Sequence, residues 1–147
     1  MLKTPVIHPQ ILAALGSAGH TSKVLITDGN YPASTTIGPN AVTVSLNFMP
    51  GILSATQILQ GLVQIIPIEK SQVMDYAKQG PYALAKDPEI WGQYQEILQQ
   101  HDHPTELEKV ERFAFYQLAA SPDVALVIIT AELRIYANLM LTLGVVR

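Results

Sequence analysis

Val124-Ala125-Leu126-Val127-Ile128-Ile129-Thr130 (VALVIIT) is apolar along almost its whole length and rich in β-branched residues. A strand with one wet face alternates apolar and polar side chains. A run without alternation reads as a strand buried on both faces. Such a strand needs cover on both sides of its sheet, so the stretch predicts a layered α/β domain. It is far shorter than the ~20 residues of a membrane-spanning helix.

The surrounding segments agree. Lys23–Thr27 (KVLIT) is a second short β-branched run and reads as a buried strand. Ala41–Leu46 (AVTVSL) alternates, and Gln72–Ala77 (QVMDYA) is read as a further strand. Tyr136 to Val146 alternates weakly and is expected to form a final strand ending at Gly144. Helices are expected at Pro9–Ala18, with proline at the first turn, and at Ser54–Ile66. In the second of these, Ala55, Ile58, Leu59, Leu62, Val63 and Ile66 share a face, Ser54 and Gln57 fit a capping box, and Pro67 is the stop. Asp87-Pro88-Glu89 opens a third helix running to about Gln100, and Phe113–Ala120 reads as a fourth. Strands alternating with helices, without repeat or linker, predict one domain over residues 1–147.

Composition narrows the function. The nine Lys and Arg residues are scattered and the net charge is −3, so no basic footprint for nucleic acid is present. The absence of cysteine excludes a disulfide framework, a thiolate zinc site and a Cys nucleophile. Only 14% of residues are charged, which points to surface covered in a homo-oligomer. No secretory signal or spanning segment is read, so a cytoplasmic protein with no membrane partner is expected.

No Walker loop, GxGxxG, HExxH or GxSxG occurs. His101 and His103 flank Asp102 in a Pro-bounded loop, but two histidines on a loop are too few for a metal site, and no metal or cofactor is expected. His20 and Asp28 bracket the first strand. A histidine exchanges protons near neutral pH, and a carboxylate beside it can fix its tautomer and raise its pKa. The strand between them spans about 17 Å. They can meet only if the turns fold back or if another subunit brings one of them over. Arg112 enters an aromatic helix, Arg112-Phe113-Ala114-Phe115-Tyr116. Tyr136 and Asn138, two apart in a segment read as extended, should point the same way. A phenol and an amide on one face suit sugar hydroxyls. Each of these residues also has an ordinary structural reading.

Taken in order, these segments resemble the fucose mutarotase / ribose pyranase (RbsD/FucU) family. Gly19-His20 before a strand, then Asp28 with Pro32, resembles the family's amino-terminal pattern. Glu111-Arg112-Phe113-Ala114-Phe115-Tyr116 resembles the fucose mutarotase branch, since the ribose pyranase branch usually has His in place of that arginine. Tyr136-Ala137-Asn138 with Gly144-Val145 resembles the carboxyl-terminal signature. Departures occur at Ala131-Glu132, where Gly-Glu is common, and in the loop after Asp28. The resemblance implies a three-layer α/β/α domain with a mixed sheet, assembled as a homodecamer with sites near subunit contacts. It implies His20 as the catalytic acid/base, with Asp28, Arg112, Tyr136 and Asn138 binding a free monosaccharide. The implied reaction is anomer interconversion by ring opening and reclosure, on L-fucose or a related sugar. D-ribose pyranase activity and a non-catalytic sugar-binding oligomer stand as alternatives.

Overall fold

The computed structural model describes residues 1–146. Helices α1 (Pro9–Ser17), α2 (Ala55–Leu62), α3 (Glu89–Gln100) and α4 (Arg112–Ala119) interleave with strands β1 (Lys23–Thr27), β2 (Val42–Ser45), β3 (Ile68–Met74), β4 (Leu107–Val110), β5 (Val124–Ile129) and β6 (Leu139–Leu143). The strands form one sheet in the order β2-β5-β1-β6-β3-β4. β2, β5 and β1 pair in parallel, as do β3 and β4, while β6 runs antiparallel to β1 and β3. The sheet is therefore mixed, with every strand but β6 pointing the same way. The carboxyl ends of β1 and β3 share one edge with the amino end of β6.

β5 lies between β2 and β1, and Val124, Leu126, Val127 and Ile128 are fully buried, as a non-alternating strand requires. One face of the sheet packs Val24, Ile26, Val44, Val73, Leu126, Ile128, Leu139 and Leu141 against α1, α2 and α3. The other packs Leu25, Val127, Met140 and Met74 against Phe115 and Ala119 of α4 and against Tyr31 and Ala33. The layers are α/β/α but unequal, because one short helix and a loop cover the second face. Each fully buried large side chain contributes roughly 1.5–3 kcal/mol.

Several boundaries shift for local reasons. Ser54 caps α2 with a complete Ser54–Gln57 capping box. The helix ends at Leu62 rather than Ile66, because the last turn tightens, with Ile65 N–H bonding Leu62 O (2.9 Å) ahead of Pro67. β3 starts directly after Pro67 and stops at Met74, earlier at both ends than the expected Gln72–Ala77. Its first half carries Glu69 and Lys70, which mask the strand pattern. β4 was not expected at all. It is a four-residue edge strand whose exposed Glu108 and Lys109 suit a sheet edge. β6 occupies only Leu139–Leu143 of the predicted stretch. Tyr136 lies in a turn with φ +59°, not in an extended segment.

No helix among the described residues is long and apolar enough to cross a membrane.

Candidate active site

A cavity of about 350 Å³ opens at the carboxyl edge of the sheet. Asp28, Arg112, Tyr136 and Asn138 line it together with Asn30, Tyr31, Met74, Tyr82, Tyr116 and Ile135. Ligands of α/β sheets commonly bind beyond the carboxyl ends of strands, where loops are free to carry polar groups.

Asp28 directly follows β1 and is only 4% exposed. Its Oδ1 accepts from Asn30 N–H (2.9 Å), an Asx turn that closes the Asp-Gly-Asn bend. Its Oδ2 accepts from Asn138 Nδ2 (3.0 Å), and its own N–H donates to Asn138 Oδ1 (2.9 Å). Only this orientation of the Asn138 amide satisfies both bonds. Burial pushes the Asp28 carboxyl above its ordinary pKa, against the opposing pull of the hydrogen bonds from Asn30 and Asn138. Gly29 lets the bend pack closely: a Cβ there would sit 3.2 Å from Glu132 O, which accepts the Gly29 N–H at 2.9 Å.

Tyr136 and Asn138 do reach the same cavity, by a different route from the extended pairing expected. Trp91 Nε1 of α3 donates to Tyr136 O (2.9 Å), and Tyr94 OH donates to Ala137 O (2.6 Å). These bonds hold Tyr136 in its left-handed conformation, one that costs of order 1–3 kcal/mol. Its hydroxyl accepts from Ala77 N–H (3.1 Å) and donates to Tyr82 O (2.9 Å). Tyr136 thus ties down the loop between β3 and α3.

Arg112 opens α4. Glu111 caps that helix, its carboxylate accepting from Phe113 N–H (2.9 Å) and Ala114 N–H (3.1 Å). The Arg112 guanidinium lies 5.7 Å from the Tyr116 ring centre and 5.9 Å from that of Phe113. Arg112 enters no ion pair among the described residues, and Tyr116 is its polar neighbour at the cavity. A fixed cation, a buried carboxylate and tyrosine rings around one small hollow suit a neutral ligand rich in hydroxyls.

His20 is not part of this cavity. It stands at the opposite, amino-terminal edge of the sheet, with its side chain 52% exposed and Nε2 2.9 Å from Glu69 Oε2. It lines a separate hollow of about 580 Å³ with Leu12, Leu15, Ile65, Val145 and Val146. Within one chain the turns do not fold back to bring His20 and Asp28 together.

Several lining residues were not singled out in the sequence. Tyr116 lies one helical turn after Arg112, an i, i+4 spacing that places both on one face. Tyr82 follows Gly80-Pro81, a turn signal. Asn30 and Tyr31 lie in the Asp28-Gly29-Asn30-Tyr31-Pro32 turn, while Met74 and Ile135 carry no comparable mark. Glu132 matters one layer back. It is 4% exposed, and Arg134 grips it with Nε to Oε1 (2.9 Å) and Nη2 to Oε2 (2.7 Å). Burial pushes the Glu132 carboxyl up, and the bonds from Arg134 outweigh it and hold the carboxyl below its ordinary pKa. Among the described residues no group of three or more His, Cys, Asp or Glu side chains is placed to hold a metal ion.

Fold and site define a mixed-sheet α/β/α protein with a pocket of charged, polar and aromatic side chains at the strand ends. The chain belongs to the RbsD / FucU transport protein family, whose model matches residues 1–146. A fucose mutarotase from Danio rerio is 30% identical over 147 residues, with 96% of this chain and 90% of that one covered. The Mus musculus fucose mutarotase is 28% identical, with 95% and 90% covered. Among solved structures, FucU from Bifidobacterium longum superposes with a TM-score of 0.79 at 30% identity, covering 96% of both chains. The fucose mutarotase of Streptococcus pneumoniae in complex with L-fucose gives 0.83 at 22% identity, covering both chains in full. Bacillus subtilis RbsD complexed with D-ribose gives 0.80 at 23% identity, also over both full chains. The last two establish the shared fold, including the mixed sheet.

Proposed function

We infer that the protein is a carbohydrate isomerase that interconverts the anomers of a free monosaccharide, with L-fucose as its substrate. The observation that carries this reading is that the buried Asp28–Asn138 pair and Arg112 line one small cavity. The fucose mutarotases among its relatives supply the substrate.

Mutarotation requires removal of the anomeric hydroxyl proton and delivery of a proton to the ring oxygen. The C1–O5 bond breaks, the free aldehyde rotates about C1–C2, and the reverse transfers close the other anomer. Neither electrons nor a leaving group is exchanged with solvent. Asp28 accepts a hydrogen bond from a sugar hydroxyl, Arg112 donates to two oxygens at once, and the Tyr136 ring bounds the site. Asn138 acts mainly by aiming Asp28, because its amide is already engaged there.

His20 is the acid/base in this account, and it serves the cavity of a neighbouring copy. Two apolar patches support such an assembly. Phe48 (85% exposed), Leu133 (64%) and Ile135 (40%) lie around the carboxyl edge, and Val145 and Val146 lie beside His20 at the amino edge. Joining unlike edges head to tail closes a ring, and a pair of rings makes the decamer that the family resemblance implies. A cytoplasmic location goes with this reading. The test is anomer exchange of L-fucose and D-ribose followed by NMR, together with the mass of the particle in solution. A monomer active at full rate contradicts the shared site.

A further inference from the structure

We propose that Tyr82 sets the sugar preference of the site: with Met74 it forms an apolar contact that takes the methyl group of a 6-deoxyhexose. The proposal rests on the mutarotase reading above and assigns its substrate class to particular side chains.

The cavity lining combines charged, polar and apolar side chains. Asp28 and Asn30 stand at the end of β1, and Met74 ends β3, two strands away across β6. Adjacent strands are about 4.8 Å apart, so the two sides are separated by roughly 10 Å, the width of a pyranose ring with its substituents. The β1 side offers hydrogen-bonding groups, while the β3 side offers the Met74 thioether and the Tyr82 ring, with Arg112 and Tyr116 coming from the helix that follows β4.

Tyr82 is 66% exposed, yet its backbone is tightly held. It is the third residue of the turn Gly80-Pro81-Tyr82-Ala83, closed by Ala83 N–H to Gly80 O (3.2 Å), with Pro81 at the second position that a proline favours. Leu84 N–H to Ala77 O (3.1 Å) closes the loop behind it. Tyr136 OH clamps both arms through Ala77 N–H and Tyr82 O. Lys109, bonded to both Asp87 oxygens at 2.8 Å, anchors the far end. An exposed aromatic ring contributes little to folding. A loop with this many internal bonds that presents such a ring at the mouth of a polar pocket places it against a ligand. The negative face of an aromatic ring attracts the polarised C–H groups of a sugar, and a hydroxyl brought against that face loses its water without gaining a partner.

The experiment compares L-fucose with L-galactose, which differs only by a hydroxyl on C6. Anomer exchange is measured for both sugars with the wild-type oligomer, Tyr82→Ala and Tyr82→Phe. The expected wild-type kcat/KM favours L-fucose by about tenfold or more, and Tyr82→Ala brings the two within about twofold while Tyr82→Phe keeps the preference. No wild-type preference, an unchanged preference in Tyr82→Ala, or an equal loss for both sugars overturns the proposal and leaves the mutarotase reading standing. Exchange of neither sugar by the wild type overturns both.

Discussion

The amide of Asn138 grips Asp28 at both ends: Asn138 Oδ1 accepts the Asp28 N–H at 2.9 Å and Asn138 Nδ2 donates to Asp28 Oδ2 at 3.0 Å. The pair joins the end of β1 to the start of β6, 110 residues apart in sequence. It fixes the carboxylate's direction in a setting where burial alone would favour the neutral acid.

Replacing Asn138 therefore does two things. Asn138→Ala leaves a buried N–H and a buried carboxylate each short of a partner, and is expected to cost about 1–3 kcal/mol of stability. Anomer exchange should fall about a hundredfold, because a displaced carboxylate misplaces the sugar. Urea unfolding and NMR exchange measure the two effects. Unchanged exchange in a folded Asn138→Ala protein contradicts the positioning role.

The raised pKa of Asp28 predicts a pH signature in stability. The folded state holds this proton to higher pH than the unfolded chain does, so the group's contribution to stability is fully present below the ordinary carboxylate range. It is lost as pH rises through the folded value. Urea unfolding of the wild type and of Asp28→Asn at a series of acidic to neutral pH values reads this out. The wild type should lose stability relative to the variant as pH rises through that window, and a difference independent of pH contradicts the assignment.

Arg134→Ala strands the buried Glu132 carboxylate. Breaking a fully buried pair costs about 3–5 kcal/mol, but the Arg134 side chain is 38% exposed, so about 2 kcal/mol is expected here. The Glu132 oxygens also accept from Ala55 N–H and Arg134 N–H, and Arg134 reaches Gln93 Oε1 at 2.7 Å. The loss should appear as a lower urea midpoint, and an unshifted midpoint contradicts the role of this knot. The double variant Glu132→Gln, Arg134→Ala should recover part of it.

How much of this was legible in sequence depends on which forces act locally. β1 and β5 were placed by their apolar runs, and the α2 start by its capping box, because burial on both faces and cap chemistry are written in neighbouring residues. β4 was missed because Leu107-Glu108-Lys109-Val110 has no pattern of its own and becomes a strand only by pairing with β3. Tyr136 was read as extended, whereas bonds from Trp91 and Tyr94 of α3 hold it in a turn, and nothing near Tyr136 in sequence announces them. Asp28, Arg112, Tyr136 and Asn138, which line one cavity, are legible as a set through the family resemblance. Asn138 looked like a sugar ligand and is engaged by Asp28. Tyr82 drew no attention because its importance lies in a loop folded over the site.

The position of His20 leads to a complementation experiment. His20→Ala subunits keep Asp28, and Asp28→Asn subunits keep His20. His20→Ala alone should lose about 10²- to 10⁴-fold in exchange rate, the usual contribution of a positioned acid or base, and Asp28→Asn about 10²-fold through a misplaced sugar. In head-to-tail rings made by refolding or coexpressing the two, about a quarter of the cavities would combine both intact residues and regain activity. Hybrids no more active than their parents contradict the shared site.

The central claim is that this pocket opens and recloses a sugar ring. Saturation-transfer NMR on the anomeric protons of free L-fucose, with catalytic amounts of protein, tests it most directly. The expected result is α/β exchange far above the uncatalysed rate, reduced about 10²-fold or more by Asp28→Asn and by His20→Ala. Exchange at the uncatalysed rate for both L-fucose and D-ribose would contradict it.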